Sequence, residues 1–420
     1  MNIANGLLCG GLVLATAGQS LQDTDMDKRQ VRTGIDQLAS DQFSFLQGKR
    51  IGLLSHEPSC DSLLRSTLGL LHGAIGDDLK VVFAPEHGFH AHAQDLEPVP
   101  IDSSPTVPEW ISLYGNDAAS LFPKPSDLRK IDVLVVDLVD VGSRYYTFQA
   151  SMLYCMKVAF GQNLPVVVLD RPNPLGCQVV EGPMLREGWD SFIGAYPIPT
   201  RHGMTIGELA ILYNQELGLH GRLEVIACEG YTRSLWQDQT TVPWVMPSPN
   251  MPTLDTAIVY PGQCLFEGTN LSEGRGTTRP FELVGAPWLD GDRAADALHG
   301  IGLPGVLFRS VNFRPTFQKW QDRLCGGVQL HVTDRDSFRS VRAGLAILQG
   351  LRNQDLSQFA WRTETYEFVS DRLAIDLLFG RDRERRAIEQ QIAWSEIARE
   401  WESEEKEFLS RRQSYLIYGE

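Results

Sequence analysis

The chain has 420 residues, too many for one ordinary hydrophobic core, so two domains are expected. Hydrophobic residues make up 43% and charged residues 22%, the proportions of a globular protein. A net charge of −15 argues against the broad basic face of a nucleic-acid binder, while local arginines can still hold a small anionic substrate.

In chain order, residues 1–30 read as a leader or a disordered arm. The stretch "GLLCGGLVLATAGQS" has the apolar character of a signal peptide, but no Lys or Arg precedes it. The compartment is left open: periplasmic or secreted if this is a signal, cytoplasmic otherwise. The run is short for a membrane span, and nothing later qualifies. The spacing then predicts strands over 49–55 and 79–85 with a helix over 62–73 between them. Further strands are expected over 131–142 and 164–176, with a helix over 147–162. Strand alternating with helix means a parallel sheet with crossover helices. Thr205 and Glu208 form a capping box for a helix within 201–218. The proline-dense stretch 241–262 reads as irregular, with a domain boundary near residue 258. Strands over 305–317 and 326–334 are expected, and the stretch 337–351 and a charged helical tail from about 381 complete the chain. The seven cysteines are odd in number and form no C-x-x-C, so free thiols are expected.

In a parallel sheet, ligands bind beyond the carboxyl ends of the strands. Polar clusters fall at three such ends: Glu86 and His87, Asp137 to Arg144, and Asp170 to Asn173. Each has a competing role as a turn or cap residue. Glu86 and His87 are the sharpest pair, because a carboxyl at a strand's end can be held rigidly as a general acid. His87, His90 and His92 invite a metal reading that would need further ligands from other strand ends. The stretch "SEGRGTTRPFE" carries Glu273, Arg275, Arg279 and Glu282, and its arginines suit a carboxylate. No G-x-S-x-G elbow, phosphate loop or dinucleotide fingerprint is present.

The motifs "FAPEHGF", "DLVDVGSRYYTF", "LDRPNPLG" with "EGP", "YPIPTRHGMTIGELA", "WVMPSPNMPTLDTAIVYPG", "CLFEGTNLSEGRGTTRPFELVGAPW" and "YEFVSDRLAIDLL" resemble, in order, the NamZ-type exo-β-N-acetylmuramidases of peptidoglycan turnover. The likeness runs from about residue 31 to the C-terminus. After Phe89 the sequence departs from the family's Arg-Gly and reads "HAHAQDLEP". A second departure is "SHEPSCD" in place of an Asn-rich turn after the first strand.

The resemblance implies an α/β protein with a Rossmann-like N-terminal domain over 31–258. A smaller α/β domain over 259–420 follows, with the site in the cleft between them. It implies release of N-acetylmuramic acid from the non-reducing end of peptidoglycan-derived saccharides, without a cofactor or metal. Glu86 matches the glutamate of the family's P-E-H-G motif and takes a catalytic role, with His87 beside it. Asp137, Asp140, Glu273 and Glu282 compete to be the second group, unless the substrate's acetamido group is itself the nucleophile. Arg144, Arg275 and Arg279 are candidates for the lactyl carboxylate, and Tyr145, Tyr146 or Trp244 for stacking on a sugar. Asp170, Asn173, Arg201, His202 and Asn270 complete the expected substrate contacts. Two other readings share these residues: a non-catalytic binder of cell-wall sugars, and a metal-dependent hydrolase built on His87, His90 and His92.

Overall fold

The computed structural model describes residues 28–94, 97–98 and 108–420. The apolar N-terminal segment, and with it the signal reading, lies outside them. The expected arm ends sooner than residue 30, since the Arg29 N–H already donates to the Gln239 carbonyl at 2.7 Å.

Among the described residues, eleven strands follow in chain order: β1 (Ile51–Ser55), β2 (Leu79–Ala84), β3 (Glu109–Ser112), β4 (Val133–Asp137), β5 (Val166–Leu169), β6 (Glu181–Met184), β7 (Pro199–Arg201), β8 (Leu223–Ile226), β9 (Leu283–Ala286), β10 (Val306–Phe313) and β11 (Cys325–Val332). Six of them form a sheet in the order β3-β2-β1-β4-β5-β8, parallel throughout. This is a doubly wound sheet whose order reverses between β1 and β4. β9, β10 and β11 make an antiparallel sheet, and β6 pairs with β7.

The central strands are apolar runs because both faces are covered. Leu54, Phe83, Leu134, Val136, Val166 and Val168 point into one core, which also takes the helices Phe148–Gly161 and Ile206–Glu216. Leu53, Val82, Val133, Val135, Val167 and Leu169 point into the other, which Ile35, Leu38 and Leu71 cover. The first core continues without a break into the C-terminal part, as far as Trp401 and Phe408.

The proline-rich stretch is more ordered than its composition suggests. Residues 254–263 are a helix, Leu254–Gln263, so the boundary expected near residue 258 falls inside a regular element. The Thr253 hydroxyl caps the helix by accepting from the Thr256 N–H at 3.3 Å. Pro261 sits in the last turn, where its missing N–H leaves the helix without one i→i−4 bond, to the Ala257 carbonyl. This helix crosses Ser340–Arg352 at Gly262 and Gly344, and a Cβ on Gly262 would stand 1.9 Å from the Ser340 carbonyl oxygen.

Arg144 ties distant parts of the chain together and is fully buried. Its guanidinium donates to the carbonyls of Pro183 at 2.8 Å, Ile198 at 3.0 Å and Leu378 at 2.6 Å. Burial pulls its pKa down to about 10, so it remains a cation at neutral pH. Arg144→Ala should lower stability by about 3–5 kcal/mol, because three buried carbonyls lose their donor. Urea denaturation measures this; a loss under about 1 kcal/mol would deny Arg144 the role of a structural tie.

Asp170, at the end of β5, is also fully buried. It accepts from the Thr205 hydroxyl at 2.7 Å, the Gly207 N–H at 2.8 Å and the Tyr418 hydroxyl at 2.6 Å. Burial pushes its carboxyl up to about 6 despite these donors. In the unfolded chain an Asp titrates near 3.9, so the folded state holds this proton more tightly. Its stabilising contribution is full below about pH 4 and is lost as the pH rises through about 6. Asp170→Asn should therefore flatten the stability profile between those values. Denaturation midpoints across that range test it, and an unchanged slope would contradict it.

Candidate active site

The site is built where β2 ends. Pro85 stops the strand, and His87 and Gly88 turn the chain with φ of 68° and 74°. A positive φ strains a histidine backbone, and such strain gathers at functional sites. The turn is locked by the His87 ring, whose Nδ1 lies 2.9 Å from the Ala93 carbonyl oxygen. Glu86 is thereby fixed at the sheet edge with only 5% of its surface exposed. The Thr147 hydroxyl donates to its Oε2 at 2.5 Å.

Glu86 and His87 line a narrow cavity of about 40 Å³ with Tyr145, Tyr146, Phe148, Glu267, Arg275 and Glu367. Its aromatic wall is an edge-to-face series. Tyr146 meets Phe148 at 4.9 Å and Tyr260 at 5.8 Å, and Tyr260 meets Phe281 at 4.8 Å. The Arg275 guanidinium stands 5.0 Å from the Phe281 ring centroid, a cation–π contact that ends the series.

Two further carboxylates face this cavity. Glu267 accepts from Arg275 Nη2 on one oxygen at 2.7 Å and from the Tyr366 hydroxyl on the other at 2.6 Å. Glu367 accepts from the Tyr114 hydroxyl at 3.0 Å. Glu367, Phe368 and Phe281 have φ of 47°, 64° and 62°, so backbone strain surrounds the cavity on several sides. Arg275 continues to Glu273 at 3.4 Å, and Glu273 to the Lys319 ammonium at 2.7 Å. The result is a line of alternating charge, buried at Glu267, Arg275 and Glu273 and ending at the half-buried Lys319.

Of the residues expected from sequence, the structure brings Glu86, His87, Tyr145, Tyr146 and Arg275 together. The Tyr145 hydroxyl is bound to the Pro261 carbonyl, so that side chain contributes its ring. Glu273 stands one step behind Arg275, and Asn270 lines a neighbouring cavity.

The other candidates are committed elsewhere. Arg144 is engaged by three carbonyls and does not line the cavity. Arg279 lies on an exposed turn against Glu282, which also accepts from Thr256. Asp137 is fully buried in a fork with Arg171, at 2.5 and 2.8 Å, and takes the Thr67 hydroxyl. Asp140 accepts from the Gly142 N–H at 2.7 Å and lines a different small cavity with Cys60, Arg171 and Trp244. Asp170 caps the helix that follows β7. Asn173 holds its own turn through Leu175 N–H and the Met204 carbonyl. Arg201 donates to the Leu175 carbonyl at 2.5 Å, and the buried His202 ring accepts from the Met204 N–H at 3.2 Å. A polar side chain at a strand end has buried groups to satisfy first: backbone groups for five of these six residues, and Arg171 with Thr67 for Asp137.

The histidines do not converge. His87 faces Ala93, whereas the exposed His90 ring lies 3.0 Å from Glu57. Among the described residues no group of three or more His, Cys, Asp or Glu side chains is arranged to hold a metal ion. Glu267 and Glu367, which line the cavity, were not singled out from the sequence. Each stood in plain view beside an aromatic or glycine, but only folding sets them opposite β2.

Similarity to known proteins extends over nearly the whole chain. Residues 51–255 match the model for the N-terminal part of exo-β-N-acetylmuramidase NamZ, and residues 258–418 match that for its C-terminal part. The chain is 41% identical over 414 residues to the peptidoglycan β-N-acetylmuramidase NamZ of Bacillus subtilis (strain 168), covering 98% of this chain and 97% of that protein. Crystal structures of two DUF1343 family proteins from Bacteroides fragilis superpose with TM-scores of 0.82 and 0.71, each at 30% identity over 93% of this chain. They are covered over 100% and 99% of their lengths, respectively. A family match over both parts of the chain, together with a relative matched almost end to end, shows that this protein belongs to the NamZ exo-β-N-acetylmuramidase family.

Proposed function

We propose that the protein is an exo-β-N-acetylmuramidase, a glycoside hydrolase that releases N-acetylmuramic acid from the non-reducing end of peptidoglycan-derived saccharides. The observation that carries this reading is the Glu86 carboxyl, nearly removed from water at the end of β2 and facing a cavity that holds two more carboxylates. Glycosidases work with a carboxyl pair, one member protonating the leaving oxygen. Glu86 is the acid in this reading. The Thr147 hydroxyl orients it, and the surrounding Tyr146 and Phe148 rings keep bulk water from competing for its proton.

Glu267 is the second carboxylate. Arg275 and Tyr366 occupy one oxygen each, so its direction is fixed before substrate arrives. Glu367 stands beside it as a polar contact for the sugar. Arg275 is the one of the three arginines singled out from sequence that lines this cavity, and it takes the lactyl carboxylate that distinguishes muramic acid from glucosamine.

Glu86→Gln should keep the fold and lower turnover of a chromogenic β-N-acetylmuramide by about 10²–10⁴-fold or more, and Glu267→Gln should lose at least about 10²-fold. Circular dichroism and initial rates decide it. Near-normal rates in either variant remove that residue from the reaction. The matching glucosaminide lacks the lactyl group and should be a much poorer substrate for the parent protein. In Arg275→Ala the preference should shrink, and an unchanged ratio would assign lactyl recognition elsewhere.

A further inference from the structure

A second cavity, of about 610 Å³, opens beside the narrow one and shares Glu267 with it. Its volume is that of a small-molecule site. Its walls come from three separate segments, around residues 267–273, 318–320 and 360–364.

These walls are firmly built. The Asn270 side chain accepts from the Ala360 N–H at 3.0 Å and donates to the Gln358 carbonyl at 2.8 Å, joining two of the segments. The Lys319 ammonium joins the third by donating to Phe266 and Leu271 carbonyls and to Glu273. Two half-buried indoles line the space, Trp320 and Trp361. Each has its N–H bound within the protein, Trp320 to the Asn270 carbonyl at 2.6 Å and Trp361 to Glu389 at 2.9 Å. The part of each ring left for a ligand is therefore apolar. Gln318, Trp320 and Asp322 all have positive φ, between 59° and 60°, so Trp320 is presented by a strained loop. Strain of this kind persists where a ligand clamp is held by its surroundings.

Arg362 and Glu364, 4.0 Å apart, add a donor and an acceptor at the same cavity. Apolar ring faces with scattered hydrogen-bonding groups suit a pyranose, whose C–H face stacks while its hydroxyls bond at the edge. A purely anionic ligand fits less well, since Lys319 is fully engaged and Glu267, Glu273 and Glu364 share the walls.

We infer that this open cavity is the subsite for the sugar on the leaving-group side of the scissile bond, held between Trp320 and Trp361. The inference rests on the glycosidase reading of the adjoining cavity and adds where the departing saccharide sits. It makes Glu267 the junction between the reacting sugar and its neighbour.

The test compares an aryl N-acetylmuramide, whose leaving group is not a sugar, with a disaccharide of N-acetylmuramic acid linked to N-acetylglucosamine. Trp320→Ala and Trp361→Ala should lower kcat/KM on the disaccharide about tenfold more than on the aryl muramide. Equal losses on both substrates, or no loss on either, would overturn the subsite. Binding supplies a readout that does not need turnover. Calorimetric titration of Glu86→Gln protein with an N-acetylglucosamine oligomer should show binding that Trp320→Ala abolishes. No binding, or binding indifferent to Trp320, would also overturn it. Failure of the parent protein to hydrolyse either substrate, with this binding intact, would count against the glycosidase reading and leave the sugar subsite standing.

Discussion

The arrangement around Glu86 depends on a buried arginine that touches no part of the cavity. Arg144 needs partners for a guanidinium wholly out of water, and finds them in carbonyls from β6, from the approach to β7 and from the helix Ala374–Phe379. That demand fixes the backbone at residue 144, and the next four side chains follow from it. Tyr145, Tyr146, Thr147 and Phe148 all line the cavity, and Thr147 is the residue that holds Glu86. A desolvated charge cannot be left unpaired, so the carbonyls that satisfy Arg144 also lock the wall of the site.

The same constraint explains why many polar residues at the sheet edge are taken up by partners within the protein. Asp137 with Arg171, Glu208 with Arg233, and Asp170 with Thr205 and Tyr418 are closed, mutually satisfied sets. Two of them weld a strand end to a loop or to the C-terminal segment, and Glu208 with Arg233 welds a helix start to a turn. The carboxylates that face the cavity differ in their position at its surface and in being oriented mostly by hydroxyls and one arginine. Around them, non-glycine residues with positive φ concentrate at 87, 281, 367 and 368. The large shared core on either side is what can hold such strain in place.

The line from Glu267 through Arg275 and Glu273 to Lys319 gives the C-terminal part a role beyond closing the cleft. It joins the floor of the narrow cavity to the wall of the open one, and each member is oriented by the next. A carboxylate held from behind in this way is pre-set in direction, which is the requirement for acting on a bond without first reorganising.

The sequence by itself determined the parallel sheet and the polar pair at the end of β2. Both follow from local rules: apolar runs of strand length, helical spacing between them, and proline and glycine after β2. Glu86 and His87 were legible for that reason, as was the capping box at Thr205 and Glu208. The helix Leu254–Gln263 was not, because prolines at 252 and 261 mimic irregular chain while falling just outside its cap and in its last turn. Only the tertiary structure separated Arg275, which reaches the cavity, from Arg144 and Arg279, which do not. Only it brought Glu267 and Glu367 to face a glutamate far away in the chain. Both outcomes turn on which buried groups each side chain must satisfy, and those partners are set by packing across the whole molecule and not by neighbours in sequence.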